Sequence, residues 1–398
     1  MINSKSLRDI VLKPITGEWG SEGDTVQILR TTNFTNEGRL NFSKVVKRNV
    51  DPVRVEKKKL KVGDIIIEKS GGSPKQPVGR VVFFDKEGVF LCNNFTAILR
   101  PKEDEVVPKY LLYILYCNHK FGFTSAYQNK TTGIINLQLP KYLEGTKIPL
   151  PSLDQQKKIA AILDAADTYR QKTKALITKY DELTQSLFLD MFGDPVRNPK
   201  GWDKIKLEEI GTLSSGSTPS RKVEENFIGD IPWVKTGEVN SKIIFDTEEK
   251  ISEAALKNSS CKLYPAGSLI IAMYGQGKTR GQVGLLGIDA STNQACAVLT
   301  KSDKVNFTFL YKLIQMSYED LRSLGRGGNQ PNLNSGILKK YLVFNPPRDL
   351  QNQFAERVKA IEAQKAQAEA SLIQADNLFN SLLQRAFKGE LTKQYPKT

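Results

Sequence analysis

The sequence predicts an α+β protein: two pseudo-symmetric domains of mixed α/β structure, separated by two long helices that pair as an antiparallel coiled coil. Two observations predict this fold. The second half of the chain repeats the first at an offset near 200 residues, and each copy ends in a long run of helical heptads. A length of 398 residues suits two domains, and a hydrophobic content of 39% allows each to bury a core.

The repeat is visible in four pairs of segments. The two segments of each pair share a local pattern, such as a turn glycine followed by an apolar strand. The pairs are 60–67 with 263–271, 94–99 with 293–299, 110–114 with 309–313, and 133–137 with 330–333. The offset shrinks slightly along the chain, as small insertions and deletions would produce, so the two copies are expected to share one fold.

Each copy ends in a predicted helix of about 40 residues without internal Gly or Pro, which would be roughly 60 Å long. Ser152 and Gln155 form a capping box at the first helix start, and Gly193 and Pro195 end that helix. Apolar residues recur three and four apart, which predicts a seam for helix pairing or partner binding. Its predicted members are Ile162, Leu176, Leu183 and Leu187, then Ile361, Leu372, Phe379 and Leu382. The alternative is that each helix folds back on its own domain.

These patterns divide the chain into five parts. They are a first domain at 1–151, a long helix at 152–194, a second domain at 195–346, a second long helix at 347–391 and a tail at 392–398. Within the domains, short runs rich in β-branched residues predict strands, and short helices are expected near 108–118 and 307–322.

The net charge of +15 is concentrated in the two domains. Residues 1–151 hold 24 Lys and Arg residues against 15 Asp and Glu residues, and residues 199–346 hold 19 against 15. Basic blocks of this kind are expected of domains that meet nucleic-acid phosphates. A basic surface without such a partner is the alternative.

Cysteine and histidine usage argues against a metal site. The four cysteines are scattered, which indicates reduced cytosolic thiols, and His119 is the only histidine. The chain has no run of 18 apolar residues and no apolar stretch behind Met1, so we expect neither a membrane span nor a secretory signal. The predicted location is the cytoplasm.

One segment satisfies a relaxed phosphate-loop pattern. Residues 272–279 end in Gly277-Lys278-Thr279 and follow a predicted strand. A true phosphate loop needs a helix next, whose N-terminus faces the phosphates, and the glycine-rich residues 280–287 are a poor helix. We therefore interpret this segment as a basic loop, with nucleoside-triphosphate hydrolysis as the alternative.

Two further motifs resemble parts of catalytic sites. Asn345-Pro346-Pro347 is similar to an adenine methyltransferase tetrapeptide, but Arg348 follows where the flipped base would need an aromatic residue. The prolines instead suit the start of a helix. Asp64 with Glu68 superficially resembles a metal-dependent nuclease, but the second copy does not repeat these acids.

The order of domain, helix, domain and helix resembles the specificity subunits of type I restriction–modification enzymes. The segments that carry the resemblance are 148–160 and 345–354 at the helix starts, with Gly201-Trp202, 215–220 and 231–239 in the second domain. The resemblance covers nearly the whole chain, and residues 26–34 of the first domain are only a loose match to the strand around Trp233.

The resemblance implies that each domain reads one half of a bipartite site in double-stranded DNA. It implies that the helices set the spacing and bind two methyltransferase (modification) subunits, which use S-adenosylmethionine to modify adenine. Motor-nuclease (restriction) subunits would use ATP with Mg²⁺ to cleave DNA. By this resemblance the chain itself has no catalytic centre and binds no cofactor or metal. The alternative is an enzyme in its own right, either a fused adenine methyltransferase or a nucleoside-triphosphatase.

Candidate DNA contacts come from polar, turn-rich stretches. Arg, Lys, Asn and Gln read base edges, while Lys, Arg, Ser and Thr bind phosphates. In the first domain the candidates are Lys69, Ser70, Ser73, Lys75, Gln76, Arg80, Asn129 and Lys130. In the second they are Thr218, Ser220, Arg221, Lys222, Tyr274, Gln276, Lys278, Arg280, Arg326, Asn329 and Gln330. The alternative is that these are ordinary surface loops.

Overall fold

The computed structural model describes residues 3–131, 134–325 and 332–391, and the chain divides into two compact units. Unit 1 comprises Met1–Ala175 with Glu369–Thr398, and unit 2 comprises Leu176–Ala368. The division passes through the middle of both long helices, so each unit contains a globular part and half of each helix. Among the described residues, no helix is both long enough and apolar enough to cross a bilayer.

Unit 1 is a mixed α/β unit with short strands. Its strands are β1 (Ser4–Ser6), β2 (Ile15–Thr16), β3 (Ser21–Leu29), β4 (Val46–Asn49), β5 (Ile65–Glu68), β6 (Ser70–Gly72), β7 (Val81–Phe83), β8 (Phe90–Cys92), β9 (Thr96–Leu99), β10 (Gln128–Thr131), β11 (Ile134–Leu137) and β12 (Lys147–Pro149). Its helices are α1 (Leu7–Ile10), α2 (Pro52–Lys58), α3 (Pro108–Lys120), α4 (Leu139–Gly145) and the first part of α5 (Leu153–Phe192). The sheets have the strand orders β2-β9-β5-β7, β4-β3-β8, β10-β11-β6 and β1-β12.

The central strand β5 separates two cores in unit 1. Ile65 and Ile67 lie in the same core as the apolar helix α3, whereas Ile66 lies in a second core with Phe84 and Ile98. Successive strand side chains point to opposite faces of a sheet, so a run of β-branched residues can fill both cores.

Unit 2 contains the second copy of the repeat. Its strands are β13 (Lys204–Lys206), β14 (Leu213–Ser215), β15 (Ile231–Val234), β16 (Ile243–Ile244), β17 (Glu249–Ile251), β18 (Leu269–Ala272), β19 (Val283–Leu286), β20 (Ser291–Thr292), β21 (Cys296–Leu299) and β22 (Leu342–Phe344). Its helices are α6 (Leu207–Ile210), α7 (Glu253–Lys257), α8 (Phe307–Met316), α9 (Tyr318–Ser323), α10 (Ser335–Lys339) and the first part of α11 (Arg348–Phe387). Unit 2 also contains the second part of α5, and unit 1 contains the second part of α11. The sheets have the orders β14-β21-β18-β19-β16, β17-β15-β20 and β13-β22.

The two units share one topology. In unit 1, β5 lies between β9 and β7, and in unit 2, β18 lies between β21 and β19, all antiparallel. In the neighbouring sheet, β3 is parallel to β8 and antiparallel to β4, as β15 is to β20 and β17. The predicted pair of pseudo-symmetric α/β domains is therefore confirmed.

A buried glutamine near the start of each long helix repeats the same contacts. Gln156 accepts a hydrogen bond from the Val107 N–H (2.9 Å) and donates one to the Pro151 carbonyl (2.9 Å). Gln351 accepts from the Asn306 N–H (2.8 Å) and donates to the Pro346 carbonyl (2.8 Å). Both glutamines are 1% exposed, so their amides are buried with their hydrogen bonds satisfied, and each joins a long helix to a short one.

The long helices run antiparallel in unit 1. Ile159 and Leu163 of α5 share a core with Phe379 and Leu383 of α11. Farther along α5, the guanidinium Nε of Arg170 bonds to Asp376 (2.6 Å). The partner positions on α11 fall as the positions on α5 rise, which is antiparallel pairing.

The same direction holds in unit 2. The Phe188 ring of α5 lies 5.5 Å from the Phe354 ring of α11, measured between centroids, and Lys365 pairs with Asp181 (2.6 Å). Lower positions on α5 again meet higher positions on α11. The predicted antiparallel pairing is confirmed within each unit.

The buried face of α5 differs from the predicted seam. Ile162, Leu176 and Leu183 are 40%, 43% and 50% exposed, so they do not lie in a seam between the helices. Their predicted role in partner binding stays a prediction. Leu187 is half-buried. On α11, Phe379 is buried, and the other three predicted positions, Ile361, Leu372 and Leu382, are half-buried.

Polar residues explain this shift in phase. The buried face of α5 includes Leu163, Arg170 and Thr184, which directly follow the exposed residues Ile162, Tyr169 and Leu183. Arg170 is buried because it is paired with Asp167 and Asp376, and the Thr184 hydroxyl donates to a carbonyl of its own helix. Hydropathy alone favours the neighbouring apolar positions instead.

Candidate nucleic-acid interface

The loop between β18 and β19 presents polar side chains from unit 2. Tyr274, Gln276 and Lys278 are exposed, and Arg280 is half-buried. All four were predicted as DNA contacts, and the β18–β19 hairpin brings them together on one loop. Their residue types suit contacts to base edges and phosphates.

Two residues of α9 hold this loop through its backbone. Arg322 Nη1 donates to the carbonyls of Gly277 (2.9 Å) and Arg280 (3.0 Å). The Tyr318 hydroxyl donates to the carbonyl of Lys278 (2.7 Å). Sequence reasoning missed Arg322 and Tyr318, because contacts between a helix and a loop about 40 residues away leave no local pattern. Fixing the backbone while side chains remain exposed reduces the entropy lost when a ligand binds.

The second polar stretch of unit 2 is partly committed to internal contacts. The Arg221 guanidinium lies 4.4 Å from the Phe227 ring centroid and bonds to Glu249 (2.8 Å). Burial works to raise the pKa of Glu249, but hydrogen bonds from Arg221 and Lys235 hold that pKa below its ordinary value. Arg221 is still 57% exposed at its side chain, so it can also meet a phosphate.

The neighbours of Arg221 differ in exposure. Ser220 and Lys222 are exposed, while Thr218 is half-buried and donates its hydroxyl to the Gln294 side-chain oxygen. The stretch therefore presents basic and hydroxyl side chains, and one of the hydroxyls, that of Thr218, is bound to the Gln294 amide.

In unit 1 the corresponding loop joins β6 and β7. Ser73 and Gln76 pair through their backbones (2.9 and 3.0 Å), and Ser73, Lys75 and Gln76 are exposed. Lys69 is half-buried at the base of the loop, and the Ser70 hydroxyl donates to Asn136. Three predicted contacts therefore lie on this loop, and two more, Lys69 and Ser70, lie just before it.

Asn129 is exposed on β10. The side chain of Lys130, together with Arg326, Asn329, Gln330 and the tail 392–398, lies outside the described residues. The DNA contacts predicted at these positions remain predictions.

Arg80 forms an ion pair within unit 1. Its side chain is 10% exposed, and its guanidinium bonds to Glu68 through Nε (2.8 Å) and Nη2 (3.1 Å). A buried, doubly bonded ion pair is costly to break. Arg80 therefore fixes β5 to the start of β7 through this pair, and its predicted DNA contact stays a prediction.

Comparison with known proteins decides the family. The family described as type I restriction modification DNA specificity domain matches residues 21–183 and 199–375. The two matches span most of the chain, one for each copy of the repeat. The chain belongs to the type I restriction–modification DNA specificity family. The predictions of a DNA-recognition subunit, and of a specificity subunit rather than an enzyme in its own right, are confirmed by this membership.

Relatives and solved structures within this family agree. The MjaIX specificity subunit of Methanocaldococcus jannaschii is 30% identical over 165 residues, which cover 39% of this chain and only 37% of that subunit. The EcoKI specificity subunit of Escherichia coli is 23% identical over 416 residues, covering 94% of this chain and 84% of that subunit. The crystal structure of the S subunit from M. genitalium has a TM-score of 0.60 at 16% identity, covering 97% and 96% of the two chains, which shows a shared fold.

The motifs that resemble catalytic sites have structural explanations in this specificity-family chain. The strand β19 follows residues 273–282, so the segment similar to a phosphate loop is a hairpin loop and lacks a helix N-terminus at the required place. The Asn345 side chain accepts a hydrogen bond from Gln351 (2.9 Å), and α11 begins at Arg348. The tetrapeptide similar to that of methyltransferases is thus a helix start.

The acids similar to a nuclease site are also accounted for. Asp64 is 1% exposed and accepts two hydrogen bonds from Arg100 (2.7 and 2.8 Å), and Glu68 is paired with Arg80. Within the described residues, no group of three or more His, Cys, Asp or Glu side chains is arranged to hold a metal ion.

Proposed function

We propose that this chain reads a bipartite target in double-stranded DNA, one half-site for the globular part of each unit. The observation that supports it is the duplicated hairpin: β5–β7 and β18–β19 are equivalent strand pairs, and each carries a polar, exposed loop. Two equivalent readers in one chain suit a target with two separate parts.

Charge supports the same proposal. The net charge is +9 over residues 1–151 and +4 over residues 199–346. Positive domains gain affinity for DNA by releasing the counterions condensed on phosphates, and exposed Lys75 and Lys278 lie on the two loops.

The exposed apolar residues of α5 support a role in assembly. Ile162 and Tyr169 in unit 1, and Leu176 and Leu183 in unit 2, are spaced by seven residues and are 40–53% exposed. Residues seven apart lie on nearly the same side of a helix, and exposed apolar groups in series are typical of protein interfaces. We assign this face of α5 to binding two methyltransferase (modification) subunits, with motor-nuclease (restriction) subunits joining the complex for cleavage.

In the proposed complex, chemistry belongs to the other subunits. The modification subunits would use S-adenosylmethionine to methylate adenine, and restriction would use ATP with Mg²⁺. This chain would determine which DNA sequence the complex acts on, and it would work in the cytoplasm, where the target DNA lies. Its predicted lack of a cofactor of its own is part of the proposal.

Selection from random double-stranded DNA by the purified full-length chain tests the DNA-reading proposal. We expect two short conserved motifs separated by a spacer of fixed length and variable sequence. A selected pool with no conserved motif, or with one continuous motif, would contradict a bipartite reader.

A substitution on α5 tests the assembly face. Ile162→Asp should weaken binding of the modification subunit in a pull-down and leave the selected DNA motif unchanged, because Ile162 is 40% exposed on α5 and belongs to neither polar loop. Thr168→Asp, which adds the same charge at another exposed position of α5, serves as the control. Wild-type subunit binding by Ile162→Asp would contradict the assignment of this face.

A further inference from the structure

A tight turn joins β8 to β9 in unit 1, and its backbone is held by the neighbouring strand. The Asn93 N–H donates to the Leu29 carbonyl at the end of β3 (2.9 Å), and the Thr96 N–H donates to the Asn93 carbonyl (3.0 Å). Asn93 is 4% exposed and Thr96 is 0% exposed. Both ends of the turn are therefore fixed in the protein interior.

Unit 2 repeats this turn between β20 and β21. The Asn293 N–H donates to the Val234 carbonyl at the end of β15 (3.1 Å), and the Cys296 N–H donates to the Asn293 carbonyl (3.2 Å). The Asn293 side-chain oxygen also lies in hydrogen-bond contact with the Thr236 hydroxyl (3.2 Å). The two turns have the same backbone hydrogen bonds at equivalent positions.

A glycine packs directly against each turn. A Cβ atom on Gly17 would lie 2.0 Å from the Asn93 carbonyl oxygen, and one on Gly216 would lie 2.5 Å from the Asn293 carbonyl oxygen. A side chain at either position would push the turn outward, so both sites require the close approach that glycine allows. This close packing keeps the turn backbone in one conformation.

The middle of each turn faces solvent. Asn94 is exposed, Phe95 is 47% exposed, and Gln294 is exposed, while Ala295 is half-buried. Each fixed backbone therefore presents a side-chain amide, and unit 1 adds an exposed aromatic ring. An exposed phenyl ring beside polar loops is an apolar group that a ligand can cover.

Both turns adjoin the polar loops already described. The N–H groups of Lys69 and Ser70 both donate to the Phe95 carbonyl (2.9 and 3.2 Å). In unit 2, the Met273 N–H donates to the Ala295 carbonyl (2.8 Å), one residue before Tyr274. A duplex bound by these loops would therefore meet the turns as well.

We propose that the duplicated turn is a further base-reading element of each unit. Asn94 and Gln294 read base edges through their amides, and Phe95 packs on the bases of the half-site read by unit 1. A side-chain amide matches the donor and acceptor pair of adenine in the major groove, and a phenyl ring suits contact with a thymine methyl group. Because Ala295 replaces Phe95 in unit 2, the two units read their half-sites with different chemistry. This inference rests on the proposed function.

Selection from random double-stranded DNA tests the turn, using the full-length chain and its variants. Phe95→Ala and Asn94→Ala should each relax the base preference at one or two positions in one half-site, and lower affinity for the wild-type target on the order of 10-fold. Gln294→Ala should do the same in the other half-site only. Phe121→Ala, which removes a phenyl ring that is 40% exposed at the end of α3, is the matched control and should leave both half-sites unchanged.

The outcomes separate this inference from the proposed function. If the wild-type chain selects no bipartite motif, the proposed function fails and the turn proposal fails with it. If the wild-type motif is bipartite but the turn variants select it unchanged with wild-type affinity, the turn proposal alone fails. Loss of modification-subunit binding by Phe95→Ala, with the DNA motif intact, would mean that this ring docks a protein and would also overturn the proposal. Each variant should unfold at the same temperature as the wild-type chain, which shows that the substitution does not prevent folding.

Discussion

Arg170 lies almost fully buried in unit 1, with its charge shared among several partners. Its guanidinium bonds to Asp167 (3.0 Å) and Asp376 (2.6 Å) and lies 4.4 Å from the ring centroid of Phe379. Arg39, from the segment after β3, also bonds to Asp167 (2.8 Å). These partners offset the cost of burying the charge, and they join the globular part of unit 1 to both long helices.

His119 is a second polar residue of unit 1, half-buried, and it gives a prediction about pH. Burial, followed by the nearby charge of Arg80, lowers the pKa of His119 from 6.5 to about 4. Since the unfolded chain binds the proton more tightly, unfolding takes up a proton between pH 6.5 and pH 4. Stability should therefore fall as pH drops through this window, by about 1–2 kcal/mol at pH 5.

The single histidine of the chain makes this prediction easy to measure. NMR of the labelled imidazole should give a pKa near 4 in the folded protein. Between pH 7 and pH 5, the stability of His119→Gln should fall less than that of the wild-type chain, because the variant has no histidine to protonate on unfolding. A folded-state pKa near 6.5 would show that burial does not disfavour the charged ring.

At the scale of the element, α5 shows what sequence patterning can and cannot predict. Its length, its start near Ser152 and its antiparallel partner follow from heptads and capping residues, because these are local signals. Which face of α5 is buried does not follow from these signals, because Arg170 and Thr184 are buried only through bonds to particular partners. The ion pair of Arg80 with Glu68 escaped prediction for the same reason.

The phase of α5 can be tested with two adjacent residues. Leu163 is 0% exposed in the core with Phe379, and Ile162 is 40% exposed. Leu163→Ala should destabilise unit 1 by about 2–5 kcal/mol because it leaves a cavity, whereas Ile162→Ala should cost less than about 1 kcal/mol. Chemical denaturation of both variants measures the difference. A larger loss for Ile162→Ala than for Leu163→Ala would mean that the predicted seam, not the observed one, is buried.

The loop between β18 and β19 gives a prediction that separates holding the loop from contacting DNA. Lys278→Ala should weaken DNA binding and reduce the slope of log affinity against log salt by about 0.9, as expected for one lost phosphate contact. Arg322→Ala should weaken binding with a smaller change in slope, because Arg322 bonds to loop carbonyls. It should also speed amide hydrogen exchange at Gly281 and Gln282.

Arg322→Lys is the matched variant for the loop, since one ammonium can donate to the same carbonyls. It should recover part of the lost exchange protection and affinity. Equal salt slopes for Arg322→Ala and Lys278→Ala would instead place Arg322 on a phosphate.

At the scale of the whole molecule, each unit has a core that draws on its globular part and on both helices. In unit 2, Phe188 and Phe192 of α5 and Phe354 of α11 pack with Phe309 and Phe344, with ring centroids 4.7–6.4 Å apart. The repeat in the sequence predicted two similar domains, but not that the helices complete each core. That packing depends on aromatic contacts between residues more than 100 positions apart, which no local pattern records.

Because each unit has its own core, we expect each half-site to be determined by one unit alone. Exchanging residues 199–346 for the equivalent block of another family member, while retaining Phe309 and Phe344, should preserve the aromatic core of unit 2. The half-site read by unit 2 should then change, because the loops 216–222 and 273–282 change with the block. The half-site read by unit 1 should remain, since its loop between β6 and β7 and its core are untouched. The spacer should also remain, because both long helices are unchanged.

A second chimera with Phe309→Ala and Phe344→Ala separates folding from reading. Removing two buried rings should cost about 3–5 kcal/mol each, so this chimera should lose the second half-site by unfolding unit 2 rather than by reading a new sequence. DNA selection identifies the motif of each chimera, and circular dichroism on heating shows whether unit 2 is folded. A folded first chimera that altered both half-sites together would mean that the two units read DNA jointly, because independent loops on separate cores can change only one half.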